Sequence, residues 1–220
     1  MNPPDRRVPW TIGIGLLLLL LALVLVFLAS ALGSRARRTP QLNVYGQIGD
    51  FTLTNQSGTA VSLADLRGHV WIADIIFTRC PGPCLKMSRQ MQEIQQALPS
   101  QSRVRLVSLT TDPDFDSPVV LKKYAERFDA DPGRWQFLTG TKAAIGALAS
   151  GTNSLNLSAV EVKPAERASP DDLFVHSTIF VIVDQRARLR GVFETGGEGV
   201  DWPHEKEKLL AAARELEREP

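Results

Sequence analysis

The sequence predicts an α/β sandwich built on a central mixed β-sheet and preceded by one N-terminal transmembrane helix. Three observations carry that prediction. Residues 8–34 contain no charged side chain. Beyond residue 50, short runs rich in β-branched and aromatic residues alternate with helical apolar patterns, and the alternation closes in two adjacent strand signals before a last amphipathic stretch. Successive strands separated by helices read as parallel, whereas the closing pair reads as a hairpin, so the sheet is mixed.

Residues 1–7 read as a short tail. The stretch 8–34, centred on GLLLLLLALVLVFLAS, is long enough to cross the ~30 Å hydrocarbon core as one helix. Signal-peptide apolar cores run to roughly 7–15 residues, so this longer run reads as an anchor, although LASALG offers small residues to a peptidase. Arg6 and Arg7 precede it and Arg35, Arg37 and Arg38 follow, so flanking charge does not orient it; a large C-terminal domain translocates regardless. Residues 35–48 read as a polar tether punctuated by Pro and Gly, and 49–220 as one domain of ordinary size.

Within the domain, FTLTNQSGTAVSL (51–63) reads as a small hairpin turning at Asn55 to Gly58, and HVWIADIIF (69–77) as a strand covered on both faces. CLKMSRQMQEIQQAL (84–98) follows as a helix with Leu85, Met91, Ile94 and Leu98 on its apolar face. RVRLVSLT (103–110) is the next strand. SPVVLKKYAERF (117–128) is the next helix, with Ser117 at its N-cap and Pro118 at its first position. WQFLTG and TKAAIGALAS repeat strand and helix on a shorter scale, STIFVIVD and ARLRGVFE (177–194) form the closing pair, and PHEKEKLLAAARELERE is the last helix. The segment TNSLNLSAVEVKPAERASPDDL, before His176, has no readable pattern.

Lys and Arg number 25 against 24 Asp and Glu, mixed along the chain. That leaves no basic stripe for a nucleic acid, which is excluded as a partner. The two cysteines, Cys80 and Cys84, are too few for a disulfide scaffold or a four-thiolate zinc site. They lie where the first buried strand ends and a helix begins. A helix N-terminus stabilises thiolate over thiol, and Cys80 is expected to be the more acidic and more exposed of the two. Two plainer readings stand beside this: cysteines that fill a core, or a static disulfide closing a very small loop. The flanking Pro81, Gly82 and Pro83 suit a shaped loop better than either.

FTRCPGPC (77–84), TTDPDFDSPVVLKKYAERF (110–128) and HSTIFVIVD (176–184) together resemble the SCO/SenC family of thioredoxin-like, membrane-anchored proteins. That family is marked by a CxxxC motif after a strand, by a D-P-x-x-D-[ST]-P-x-x-L stretch, met here by Asp112 through Leu121, and by one histidine before a late strand, met by His176. The likeness runs from about Phe51 to near Asp201. It implies a thioredoxin-like sandwich and a Cu(I) ion held by Cys80, Cys84 and His176. It also implies a role in building the dinuclear copper centre of cytochrome c oxidase subunit II, or in reducing thiols there. The implied setting is a membrane anchor with an exported domain. MNPPDRRVPW does not look like an amphipathic transit segment, which favours a bacterial inner membrane with the domain in the periplasm.

The residue types suit that chemistry, because two thiolates and an imidazole form a soft donor set for Cu(I), and three residues between the thiols widen their bite. Without the resemblance, His176 reads first as a structural histidine at a strand start. His69 and His204 read as surface residues, and Met87 and Met91 as helix packing. Asp112, Asp114 and Asp116 read as loop structure, a helix cap and contact with the cysteine loop, rather than as a hard-metal site. Two departures stand out: family members often have Asp immediately before the histidine and Pro after the second cysteine, where this chain has Val175 and Leu85. Losing the carboxylate removes a group that would orient the ring.

Asp74 lies in the middle of the apolar strand, where a buried charge is costly. Thioredoxins resemble this segment in having a buried Asp at the same offset, which implies a proton acceptor for Cys84; the alternative is an Asp at a watered edge or paired with an Arg. Three functions compete: a Cu(I) metallochaperone, a thiol-disulfide oxidoreductase acting on extracytoplasmic protein disulfides, and a peroxide-reducing or redox-sensing protein. The chaperone is preferred. Its partners would be cytochrome c oxidase subunit II or another copper protein, a thiol reductant, and the membrane through one helix.

Overall fold

Every side chain of Trp71–Ile76 is buried, Asp74 included, as expected of a nearly continuous apolar strand covered on both faces. The structure, a computed structural model, describes residues 10–36, 42–169 and 173–219. The predicted tail 1–7, part of the tether (37–41) and residues 170–172 of the unpatterned segment lie outside the described residues. Two compact units separate, Met1–Gln41 and Leu42–Pro220.

The first unit contains helix α1 (Trp10–Ala36). Among the described residues no helix is long and apolar enough to cross a membrane, so the transmembrane expectation is not met by those residues.

The second unit runs β1 (Gly46–Gln47), β2 (Thr52–Asn55), β3 (Ala60–Ser62), α2 (Leu63–Leu66), β4 (Trp71–Ile76), α3 (Pro83–Ala97), β5 (Arg105–Thr110), α4 (Pro118–Glu126), β6 (Trp135–Thr139), α5 (Lys142–Ser150), β7 (Ala159–Glu161), a 3-10 turn at Pro164–Glu166, β8 (Phe174–His176), β9 (Ile179–Val183), β10 (Arg188–Glu194) and α6 (Trp202–Arg218). Eight strands form one sheet in the order β1-β10-β9-β4-β5-β6-β2-β3. Strands β4, β5 and β6 are parallel, and β9 joins β4 antiparallel, so the sheet is mixed as expected.

Period-two alternation sends the two sets of side chains to different cores. Ile72, Ile76, Leu106, Phe137 and Phe180 pack with Met87, Met91, Ile94, Leu121 and Leu209 from α3, α4 and α6. Trp71, Ala73, Ile75, Val107 and Leu138 pack with Leu63, Ile145 and Leu148 from α2 and α5. Asp74, between Ile72 and Ile76, therefore faces α3.

Two local readings are corrected, and a third, Ser117 at an N-cap, holds in position. In α3 the buried apolar positions are Cys84, Met87, Met91 and Ile94, the i, i+3, i+7 rhythm of one helix face, with Ser88 and Gln90 buried beside them, while Leu85 is only partly buried. Ser117 occupies the N-cap of α4, but its side chain makes no capping bond. His176 does not begin the late strand. It ends β8, which pairs with β7 in a separate two-stranded sheet, in register Ala159↔His176, Val160↔Val175 and Glu161↔Phe174. Val160 and Val175 are 66% and 68% exposed, so the hairpin has no buried outer stripe to announce it in the sequence.

Candidate metal centre and thiol pair

Strand β4 delivers the chain through Phe77, Thr78 and Arg79 to Cys80. Gly82 then caps α3, Pro83 takes its first position and Cys84 follows. The first turn has unpaired N–H groups, and one of them, from Cys84, donates to Cys80 Sγ at 3.5 Å. Phe77 N–H donates to Cys84 Sγ at 3.4 Å. The β7–β8 hairpin brings the third donor: His176 Nε2 lies 3.0 Å from Cys84 Sγ, and His176 Nδ1 lies 3.1 Å from the Ser177 carbonyl. A carbonyl can only accept, so Nδ1 carries a proton and Nε2 faces the sulfurs. Phe77 stands edge-on to Phe174 and His176, with centroids at 5.2 and 6.0 Å, and holds the end of the hairpin in place. The donor atoms of Cys80, Cys84 and His176 all lie within 4.8 Å of one another.

The two thiols are electrostatically opposite. Cys80 is pulled down to about 4, first by a hydrogen bond from the Cys84 thiol and then, against burial, by His176 and the main-chain N–H groups of Cys84 and Gly82. Cys84 is pushed far up, because its thiol is the donor to Cys80 and because burial and the Cys80 charge both oppose ionisation. Burial lowers the His176 pKa, but hydrogen bonding to Cys80 and to the Ser177 carbonyl outweighs it and the net movement is upward. His176 is thus in direct contact with Cys84 yet takes its electrostatic support from Cys80, the sulfur that carries the charge. Cys80 is 6% exposed and Cys84 0%, so both are buried and the expected difference in exposure is slight.

The aspartates of the DPDFD run diverge. Asp116 accepts from Thr78 N–H at 3.1 Å and from the Thr78 and Thr110 hydroxyls. Asp112 pairs with Arg79, whose guanidinium lies 4.2 Å above the Phe115 ring. Asp114 pairs with Lys142 at the surface. Two of the three therefore brace the loop ahead of Cys80. The expected contact of this acidic run with the cysteine loop is thus present, through Asp116 to Thr78 and Asp112 to Arg79; Thr110, which shares Asp116, was not singled out in the sequence.

Asp74 is fully buried, and neither carboxylate oxygen has a hydrogen-bond partner among the described residues, so neither a watered edge nor an Arg pair is present. Its register neighbour Ser108 accepts from Trp135 Nε1 at 3.0 Å, which leaves the hydroxyl proton free to turn toward the carboxylate. Burial pushes Asp74 up to about 7, with Ser108 and His176 drawing it partly back. His69 is half-buried rather than on the surface, with Nδ1 unpartnered, and His204 is exposed.

Comparison with known proteins decides the family. The model of the SCO1/SenC family matches residues 41–208. The chain belongs to the SCO1/SenC family. A SCO1 protein homolog of Bacillus subtilis is 41% identical over 95 residues, 43% of this chain and 49% of that protein, so the aligned stretch spans about half of that relative. A SCO1/SenC family lipoprotein from Bacillus anthracis is 25% identical, with a TM-score of 0.65 over 82% of this chain and 98% of its own. BsSco, described as having a disulfide switch and as a member of the Sco family of cytochrome c oxidase assembly proteins, is 28% identical with a TM-score of 0.63, covering 80% and 99%. Bradyrhizobium japonicum ScoI with copper bound, at 23% identity, shares the fold, with a TM-score of 0.61 over 76% and 99%. Within this SCO1/SenC chain, the position before the histidine is the exposed Val175, so the ring is oriented by the Ser177 carbonyl and by Phe77 instead of a neighbouring carboxylate.

Proposed function

We propose that this protein is a membrane-anchored Cu(I)-binding metallochaperone that assists assembly of the dinuclear copper centre of cytochrome c oxidase. The observation that carries the proposal is the convergence of Cys80, Cys84 and His176 within 4.8 Å. Two sulfurs and one imidazole nitrogen form a soft, low-coordinate set that suits Cu(I) better than a hard cation. Cys80 meets the incoming ion already as thiolate, and Cys84 gives up its proton as the ion binds, since only the thiolate ligates. Reduction of the pair by a thiol reductant precedes capture, and release proceeds by exchange of ligands with subunit II or another copper protein. The family match and the copper-bound and oxidase-assembly relatives support the reading. The reading includes a membrane anchor in a bacterial inner membrane with the domain in the periplasm, and the lipoprotein relative is in keeping with membrane association.

A second reading, thiol-disulfide exchange, draws on the opposed thiols and on Asp74. Cys80 thiolate would attack a partner disulfide, and Cys84, losing its proton to the unpartnered Asp74 carboxylate, would resolve the mixed disulfide.

The test is a Cu(I) titration of the reduced, full-length chain in detergent, under anaerobic conditions and against a competing chelator, beside Cys80→Ser and His176→Ala. One bound ion, held at least about tenfold less tightly by each variant, is the expected result. Binding indifferent to His176→Ala would pass the site to the exchange reading, for which Asp74→Asn should slow resolution of a mixed disulfide.

A further inference from the structure

Strand β8 has an unpaired edge beside the thiols, and the hairpin register shows which groups line it. Ser177 N–H donates to the Ser158 carbonyl and Val162 N–H to the Leu173 carbonyl, while Val160 lies opposite Val175. Hydrogen-bonded and non-hydrogen-bonded pairs alternate along an antiparallel ladder. The bonded pairs are therefore 158/177, 160/175 and 162/173, and the unbonded ones are Ala159/His176 and Glu161/Phe174. The N–H and C=O groups of Phe174 and His176 point away from β7, and among the described residues none of the four has a main-chain partner. A groove of about 250 Å³, lined by Phe77, Cys80, Pro81, Pro83, Val175 and His176, runs beside this strand. Open edges are usually blunted by a charge or a proline; Leu173 through His176 carry no Lys, Asp, Glu, Arg or Pro.

The side chains divide in the same rhythm. Phe174 and His176 turn inward, onto Phe77 and Cys84. Val175 turns outward beside Val160, and both are exposed.

The geometry points to β8 as a docking edge: an extended segment of the target protein pairs with the outward main-chain groups of Phe174 and His176, placing its reactive residue directly across from His176. A residue paired there projects to the face occupied by the imidazole, with Cβ atoms about 5 Å apart, and so comes over Cys80. Its neighbours in the segment project to the other face and extend the Val160–Val175 stripe. The partner is therefore a strand carrying a cysteine, methionine or histidine between apolar residues. Main-chain bonds supply the affinity and the alternation supplies the register. The inference rests on the proposed function, in that it names the partner chemistry of that same site.

Full-length Cys84→Ser protein in detergent, which cannot resolve a mixed disulfide, tests it. The probe is the acetylated and amidated heptapeptide valine-threonine-valine-cysteine-valine-threonine-valine with thionitrobenzoate on its cysteine. Cys80 thiolate attacks the peptide sulfur, forms the Cys80–peptide disulfide and expels thionitrobenzoate, which is followed by absorbance. N-methylation of the peptide's cysteine or of a threonine two residues away should slow capture about tenfold, the worth of one hydrogen bond, while N-methylation of the valines beside the cysteine should leave it nearly unchanged. In the captured complex the amides of Phe174 and His176, but not that of Val175, should become newly protected from hydrogen exchange. Equal slowing at every position, or capture without new protection at Phe174 and His176, overturns the inference. A two-residue pattern in a protein whose wild type fails the Cu(I) titration would keep the docking edge and discard the chaperone; a sound titration with no pattern would do the reverse.

Discussion

Cys80 and Cys84 are chemically identical side chains that the fold makes unlike. Cys80 sits where a helix N-terminus, a neighbouring thiol and an imidazole all favour its anion, whereas Cys84 is the donor in that arrangement and is shut off from water. With its pKa drawn down to about 4, Cys80 is thiolate at every pH above that value. Its reaction with iodoacetamide should hold a nearly constant rate from pH 8 to about pH 5 and then fall through pH 4. A rate that drops about tenfold per pH unit below pH 8 would mark an ordinary thiol. Because the Cys84 thiol is the leading support for the anion, Cys84→Ala should move the inflection upward, as should His176→Ala to a smaller degree. Position after a strand and ahead of a helix already suggested the acidity of Cys80. The larger contribution from Cys84 was not legible, since it depends on how one loop turns.

At the scale of elements, the cysteine loop keeps its shape because two parallel strands end side by side. Strands β4 and β5 run in register from Trp71↔Arg105 to Ile76↔Thr110, so the loops after both leave from the same carboxyl edge, where open α/β sheets build their sites. That adjacency brings Asp116 under Thr78 and Asp112 against Arg79. Asp116→Ala would orphan the buried Thr110 hydroxyl and the Thr78 N–H, at about 1–3 kcal/mol for such groups. A lower urea midpoint together with weaker Cu(I) binding is expected. Unchanged binding in the folded variant would show that the loop does not need this brace. The three acidic residues were visible in the chain, but their separate partners were not, because alternate spacing in a loop says nothing about direction. The β7–β8 hairpin was illegible for a related reason: main-chain pairing holds it, and its exposed valines obey no core pattern.

At the scale of the molecule, Arg190 joins the beginning and the end of the second unit. Its side chain is fully buried, donates to Asp184 and Glu219, and also reaches the carbonyls of Leu42 and Asn43. Removing one partner of such a buried cluster strands the rest, so Arg190→Ala should cost about 3–5 kcal/mol, read as a fall in the urea midpoint, with Glu219→Gln milder. A loss under about 1 kcal/mol would mean that water replaces the guanidinium. What the sequence by itself determined are the quantities that depend on near neighbours: the strand and helix order, the coverage of β4 on both faces, and the CxxxC pair at a strand–helix junction. Apolar period and turn chemistry act over a few residues and can be read directly. Only the tertiary structure decided that His176, at the far end of an unpatterned hairpin, meets a thiol 92 residues away, that Asp74 is fully buried with no charged partner among the described residues, and that β8 keeps an open edge. Each of these follows from which strands lie next to one another, a property of the assembled sheet rather than of any stretch of chain.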